Sequence, residues 1–236
     1  MAGKILVGCP IFKGKEYCLK EFLDGLNSIS YNDFDVCLVD NSQGTDFFKR
    51  LKQIAGEWSK THKNKFFVER VEIDSIEPRA KIVAARNVLL EKTLKGGYDY
   101  FFSLEADVVA PSDVLERLIC RGKKIISGIY FNLIPAKNSL VILAYKHLGF
   151  DEKGEEQTQT LALQEIMPSR VIENLRAVGV GCMLIHRSVL EKITFRFDQK
   201  FEAFDDWWFC TDAIKAGYSI SVDTSMLCRH YYRPWL

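Results

Sequence analysis

The sequence predicts an α/β fold: a single domain whose mostly parallel central sheet is flanked by helices. Three observations predict it. Short apolar, β-branched runs alternate with segments whose apolar residues recur at helical spacing, the arrangement that builds a parallel sheet with helices on both faces. Apolar residues make up 47% of the chain, enough to fill a substantial core and to exclude a disordered polymer. Neither an internal repeat nor a low-complexity linker divides the 236 residues, so they read as one domain.

The elements follow in order. Lys4–Gly8 forms a first strand that stops at Cys9-Pro10. Tyr17–Ile29 places Leu19, Phe22, Leu23 and Leu26 at helical spacing. Phe34–Val39 is a second strand, ending in the polar turn Asp40-Asn41-Ser42. A helix over Asp46–Lys60 and a third strand over Phe66–Ile73 come next. Arg79–Lys95 is helical again, with Gly96-Gly97 as its stop. Tyr98–Leu104 is a buried strand that runs straight into Glu105-Ala106-Asp107. Pro111 opens a helix with Val114, Leu115, Leu118 and Ile119 on one face, and Gly122 ends it. Beyond about residue 124 the rhythm changes. Lys124–Tyr130 and Ser139–Tyr145 read as strands, and the polar, acidic Asp151–Glu165 as a surface hairpin or loop. Val178–His186 is an apolar strand punctuated by glycines. Ser188–Ile193 and Asp206–Ala216 are helices, and Ser219–Val222 is the last strand.

Charge and cysteines exclude several classes of protein. Lys and Arg total 32 against 31 Asp and Glu, a net charge of +1, whereas a general nucleic-acid binder carries a clear basic excess. Seven cysteines are scattered singly with no C-x-x-C, poor material for a disulfide framework or a zinc site. The opening MAGKILVGCP is too short an apolar run for a signal peptide, and no stretch approaches the ~18–20 apolar residues of a membrane span. A cytoplasmic chain with reduced thiols is expected, at most a peripheral visitor to a membrane. Its aromatic, basic end from Tyr231 to Leu236 reads as a packed tail, with contact to a lipid interface or closure over a ligand as alternatives.

In open α/β sheets ligands bind outside the carboxyl ends of the strands, so chemistry is sought there. Gly8 to Gly14, after the first strand, matches neither the dinucleotide fingerprint nor the P-loop. Glu105 and Asp107 are two apart, and in extended backbone they project to one side and suit a hard divalent cation. The plainer reading is a solvated acidic turn before the Pro111 helix; its abrupt position after an apolar strand favours the functional one. Asp205 and Asp206 open a helix among aromatics, where the macrodipole keeps a carboxylate ionised and able to take a proton from a hydroxyl. Trp207 or Trp208 offers a flat platform for a sugar or base, or else fills core. His230 is a third metal ligand or a hydrogen-bonded structural residue. Arg79 and Arg86, seven apart, share a helix face and meet a phosphate or pair with an acid.

Five stretches taken in order carry a resemblance: Val39-Asp40-Asn41-Ser42, Ala84-Ala85-Arg86-Asn87, Leu104-Glu105-Ala106-Asp107 followed by Pro111, Gly179-Val180-Gly181-Cys182-Met183, and Phe204-Asp205-Asp206-Trp207-Trp208-Phe209-Cys210 with Lys215-Ala216-Gly217-Tyr218. Together they resemble the motifs of the family 2 nucleotide-sugar glycosyltransferases, which have the A-type fold. The resemblance runs from about Lys4 to His230 and thins between Pro135 and Arg176. It implies a donor-binding half over about 1–110 and an acceptor and catalytic half over about 111–236. It also implies metal-dependent, inverting transfer from a UDP- or GDP-linked sugar to a hydroxyl on a carbohydrate, lipid-linked or protein acceptor. By the same resemblance Pro10, Asp40, Asn41, Arg79, Arg86 and Glu105 lie at the donor, while Asp107, Glu105 and His230 hold Mn²⁺ or Mg²⁺. Asp206 is the base with Asp205 in reserve, and Gly181, Trp207 and Trp208 lie at the acceptor.

The sequence also departs from the pattern. Glu105 begins the D-x-D, Asp205-Asp206 stands where Glu-Asp is usual, Trp208 replaces the second acid, and Asp212 stands where a basic residue is common. These departures leave open a catalytically silent nucleotide- or carbohydrate-binding subunit. A sugar-phosphate nucleotidyltransferase is the other alternative, but it wants a glycine-rich basic loop after the first strand, which is absent. With no Q-x-x-R-W and no membrane span, a processive polysaccharide synthase is disfavoured.

Overall fold

The computed structural model describes residues 3–134 and 139–232. The chain begins with β1 (Ile5–Ile11), a 3₁₀ turn over Lys13–Cys18, α1 (Leu19–Asn27), β2 (Phe34–Asp40), α2 (Asp46–Thr61), β3 (Phe66–Arg70) and α3 (Pro78–Lys95). It continues through β4 (Tyr100–Leu104), the two-residue β5 (Val108–Val109), α4 (Val114–Cys120), β6 (Ile125–Ile129), β7 (Phe131–Ile134), β8 (Ser139–Ile142), β9 (Ala144–Phe150), β10 (Glu156–Thr160) and the short α5 (Leu163–Ile166). It closes with β11 (Val171–Ile172), β12 (Ala177–Val178), β13 (Cys182–His186), the short α6 (Arg187–Leu190), α7 (Asp205–Lys215), β14 (Ser221–Leu227) and β15 (Arg229–His230).

Among the described residues, eight strands form one sheet in the order β11-β14-β6-β13-β4-β1-β2-β3. Strands β1 to β4 run parallel, and so do β6 and β14. Strand β13 is antiparallel to both β4 and β6, and β11 is antiparallel to β14 at the edge. The expected mostly parallel sheet is therefore present with two reversals. Between β6 and β13 the described residues make no long crossover helix but an outgrowth, the three-stranded β10-β9-β12 sheet, and an antiparallel return needs no crossover.

Each face of the sheet is packed by helices. Along β1 the side chains alternate: Ile5, Val7, Cys9 and Ile11 pack with residues of α1, α2 and α4, while Leu6 packs with residues of α3, α6 and α7. Helix α3 starts on Pro78 with Glu77 as its cap, the Glu77 side chain accepting from Arg79 N at 3.1 Å. It ends at Gly96, followed by Gly97 at φ 70°.

Several boundaries differ from the sequence expectation for physical reasons. Strand β1 does not stop at Cys9-Pro10 but continues to Ile11. Its pairing with β4 ends at Gly8 opposite Ser103, whereas its pairing with β2 reaches Ile11 opposite Asp40, so the N–H that Pro10 lacks falls beyond the β4 ladder. The single strand expected over Val178–His186 is broken into β12 and β13. Tyr130 packs on the intervening glycines, and a Cβ on Gly179 or Gly181 would lie 2.1 or 2.7 Å from its hydroxyl. Ser139–Tyr145 is shared between β8 and β9, and the third strand ends at Arg70 rather than Ile73. The helix placed at Pro111 starts at Val114. Of the segment 151–165, expected as a surface hairpin or loop, Glu156–Thr160 is β10, which pairs with the earlier β9, and α5 begins at Leu163. All seven cysteines are free thiols, and no helix among the described residues is long and apolar enough to cross a membrane. The tail reading bears partly on residues 233–236, which lie outside the described residues.

Close approach of α3 to β1 depends on Gly8. A Cβ there would sit 2.4 Å from Phe101 and 2.9 Å from Leu89. Gly8→Ala is therefore expected to cost about 1–3 kcal/mol of stability through overpacking, read from urea denaturation. An unchanged midpoint would mean that α3 moves off the strand without cost.

Candidate active site

The strand order reverses at β1, with β2 and β3 on one side and β4 on the other, so a crevice opens beyond the carboxyl ends of β1 and β4. At the end of β2, Asp40 is fully buried, and its Oδ1 accepts from Ser42 N at 2.9 Å. That bond shapes the turn, and Ser42 Oγ in turn accepts from Lys13 N at 2.8 Å. Asn41, Ser42 and Arg70 then line a groove of about 410 Å³ beside this strand end. Asp40 lies beneath the groove and gives it shape.

Arg86, on α3, has no exposed surface. Its Nη1 donates to Ser103 Oγ at 2.6 Å, its Nη2 to Glu105 Oε1 at 2.6 Å, and its Nε lies 2.5 Å from Asp205 Oδ2. Burial works against the charge of this guanidinium, but Asp205 and Glu105 outweigh it and hold its pKa above the usual arginine value. A free Arg86 facing a phosphate, one of the sequence expectations, is thus corrected: its nitrogens are committed to β4 and α7. The anions pin the helix start to the strand end.

Asp206 is the next residue on α7, half-buried and lining a cavity of about 480 Å³ together with Glu105, Tyr130, Tyr145 and Trp207. Its Oδ1 accepts from Trp207 N at 2.7 Å. The helix start was expected to keep this carboxylate ionised; instead its pKa is pushed up to about 7. Burial is the main cause, and the negative charges of Asp205 and Glu105 add to it, outweighing the Trp207 hydrogen bond and Arg86. A carboxyl with a pKa near neutrality can accept a proton at physiological pH.

The D-x-D-like segment is a turn, not extended backbone, since Val108 N donates to Glu105 O at 2.9 Å. The two carboxylates consequently have different partners. Glu105 belongs to Arg86, whereas Asp107 Oδ2 meets the Lys15 ammonium and lies 3.4 Å from His230 Nε2. His230 arrives through tertiary pairing: β15 runs antiparallel to β5 with His230 opposite Val108, and Tyr231 N donates to Asp107 O at 2.8 Å. The Nδ1 of His230 donates to Phe131 O at 2.7 Å, because a carbonyl only accepts; Nε2 is thereby aimed at Asp107. Burial raises the pKa of Asp107, but the His230 hydrogen bond and the Lys15 charge outweigh it and hold the carboxyl below its usual range. For His230 burial is likewise outweighed, by the hydrogen bond and charge of Asp107, and the imidazole sits above its usual value. Lys15 is raised too: burial opposes its charge and Asp107 overcomes that.

The remaining expected residues are placed as follows. Gly181 touches the cluster, its O accepting from Glu105 N at 3.0 Å and its N donating to Tyr130 Oη at 2.9 Å. Trp207 borders the cavity, edge-on to Tyr145 and under the Arg176 guanidinium at 4.2 Å. Trp208 does not border it. It stacks beneath Arg196 at 4.4 Å, and Arg196 is held by Asp212 at 2.6 and 2.8 Å, so both unusual residues belong to one structural stack. Arg79 pairs with Glu77 and lies 5.3 Å from the Phe197 ring, which ties α3 to the loop before α7. Pro10 shapes the exit of β1. Lys15 and Tyr130 were not singled out from the sequence. Lys15 had one available signal, its position in the loop after the first strand at the switch point; Tyr130 had none beyond the glycines it covers.

No family profile matches the sequence, and no curated protein matches it. Solved structures do match in fold. GalNAc-T7 crystallised with UDP, GalNAc and Mn²⁺ superposes with a TM-score of 0.67 at 12% identity, over 98% of this chain and 44% of that one. Residues 1–349 of S. aureus TarS in complex with UDP give 0.58 at 16% identity, over 95% of this chain and 60% of that one. The same protein in complex with UDP-GlcNAc gives 0.56 at 15% identity, over 98% and 59%. The chain thus spans roughly half the length of these neighbours. It has the A-type glycosyltransferase fold that its motifs imply, and at these identities the likeness is one of fold.

Two outcomes follow from the charge cluster. Arg86→Met leaves Glu105 and Asp205 without their cation and is expected to cost about 3–5 kcal/mol in chemical denaturation. Arg86→Lys restores little of it, because an ammonium cannot span three partners; a loss under about 1 kcal/mol in either variant would contradict the role given to Arg86. The folded state also holds the Asp206 proton up to about pH 7, while the unfolded chain releases it near its ordinary value of ~3.9. Stability from this group is fully present below about pH 4 and lost as pH rises to about 7. Asp206→Asn should therefore raise the melting temperature at pH 8 and leave it nearly unchanged at pH 4; equal shifts at both pH values would refute the assignment.

Proposed function

We propose that this chain is a nucleotide-sugar glycosyltransferase that moves a sugar from a nucleoside-diphosphate donor to an acceptor hydroxyl with inversion. The observation that carries the reading is Asp206: a carboxyl tuned to about 7, at the wall of a cavity that also holds Glu105, within an A-type fold. The structural neighbours support a UDP-linked donor, since GalNAc-T7 was crystallised with UDP and TarS with UDP and with UDP-GlcNAc.

In this reading the nucleoside lies in the groove of Asn41 and Ser42, whose shape Asp40 fixes. Glu105, held by Arg86 through Oε1, offers Oε2 to the hydroxyls of the donor sugar. The acceptor occupies the cavity beside Trp207 and Tyr145. Asp206 takes the proton from its hydroxyl as that oxygen bonds to the anomeric carbon. The bond from this carbon to the diphosphate oxygen breaks, and its electron pair leaves with the diphosphate. Attack opposite the leaving group gives inversion.

The residues present fit a divalent cation at Asp107 and His230. Asp107 Oδ1 is buried with no hydrogen-bond partner, and His230 has its Nδ1 spent on a carbonyl with Nε2 facing the carboxylate. Mn²⁺ or Mg²⁺ bound there would supply positive charge to the departing diphosphate. Glu105 is paired with Arg86 and is not needed as a ligand.

A pool of UDP- and GDP-linked sugars incubated with the protein and Mn²⁺, followed by mass spectrometry, should reveal slow donor hydrolysis and the preferred nucleotide. Asp206→Asn is expected to lower turnover by about 10²–10⁴-fold while UDP binding by calorimetry stays near the wild-type value. Turnover should rise with pH through about 7 as the base loses its proton. Undiminished turnover in Asp206→Asn would sink the mechanism.

A further inference from the structure

The mechanism above leaves one buried charge contact unused. Lys15, in the 3₁₀ turn after β1, lays its ammonium on Asp107 Oδ2, the oxygen that His230 Nε2 also approaches at 3.4 Å. Asp107 is only 5% exposed, and its Oδ1 has no hydrogen-bond partner. One carboxylate oxygen is doubly engaged and the other is idle. The Lys15 side chain is 30% exposed, so it is the outer member of the pair, and its four-carbon stem lets the ammonium swing without moving the backbone. A divalent cation shared by Asp107 and His230 would take the place beside Oδ2 that the ammonium now holds.

We propose that Lys15 is the displaceable counter-ion of Asp107. Without donor its ammonium neutralises the carboxylate; when a divalent cation takes Asp107, the ammonium moves onto the donor's diphosphate. The inference rests on the transferase reading for the identity of the donor. It makes metal and nucleotide bind together. Metal alone must expel the ammonium from the carboxylate it neutralises, whereas with a diphosphate present the displaced ammonium gains a new anion, and the coupling is reciprocal.

Mn²⁺ titrated without nucleotide into the wild type and Lys15→Met, followed by calorimetry and electron paramagnetic resonance, tests this. Lys15→Met is expected to bind Mn²⁺ about tenfold tighter or better, and its melting temperature should climb with Mn²⁺ while that of the wild type moves little. At saturating Mn²⁺ the same variant should bind UDP about tenfold more weakly. Lys15→Arg, which keeps the charge, should behave as the wild type towards Mn²⁺. Lys15→Gln gives the same comparison should the methionine variant fail to fold. Equal Mn²⁺ affinity in wild type and neutral variant, or no Mn²⁺ binding by either, overturns the proposal. Failure of the transferase reading shows separately, as wild-type protein that binds no UDP with Mn²⁺ present.

Discussion

The site is organised around a guanidinium that has no contact with water. Arg86 reaches from the middle of α3 to the end of β4 through Ser103 and Glu105 and to the first residue of α7 through Asp205. A buried cation costs several kcal/mol of desolvation, and an ion pair offsets that only when its geometry is good and its remaining donors are satisfied. Arg86 meets the condition at its two terminal nitrogens, which donate hydrogen bonds to Ser103 and Glu105, while Nε faces Asp205 Oδ2 at 2.5 Å as an ion pair without a hydrogen bond. Such a contact contributes little net stability compared with apolar packing, but it fixes where one element begins relative to the end of another. Asp206 inherits its position from that constraint, being the next residue on the helix. It also inherits its chemistry: burial first, and then Asp205 and Glu105 held close by the same cation, make this third carboxyl resist ionisation.

A second charge centre lies at the same edge of the sheet and is built differently. Asp107, Lys15 and His230 come from the turn after β4, the turn after β1, and β15. Here the acid is held ionised, against burial, by two neighbours that can carry positive charge. The two centres thus treat buried carboxylates in opposite ways, one tuned to accept a proton and one kept as an anion. A nearly neutral chain conceals this division: the net charge of +1 is a sum over a local arrangement in which Glu105 and Asp205 face Arg86 while Asp107 faces Lys15 and His230.

Much of the fold was legible in the pattern, for identifiable reasons. Runs such as Val36–Val39 are buried on both faces and read as unbroken apolar strand, as parallel strands under helices must. Helix α2 shows Phe47, Leu51, Ala55 and Trp58 on one side, a spacing that needs no tertiary information. Less legible was α3, whose buried set contains Arg86 and Thr93 among its apolar residues. The break at Gly179 and Gly181 also escaped the pattern, since glycine in an apolar run does not say what packs against it; Tyr130 does, from fifty residues away in sequence. The departures at Trp208 and Asp212 looked like damage to a catalytic motif. In space they form one stack with Arg196 outside the cavity.

The sequence by itself determined the alternation of strands and helices, the acidic turns at strand ends, and the motif order that implies an A-type fold, because periodicity and local turn chemistry act over a few residues. Tertiary structure alone decided which acids share a partner. Glu105 and Asp107 sit two residues apart yet face different cations, because a turn replaces extended backbone between them. His230 meets Asp107 across more than a hundred residues, because β15 pairs with β5. Protonation followed from the same decision. A helix start should favour an ionised aspartate, and burial among other carboxylates reversed that at Asp206, a result that depends on distances no linear pattern records.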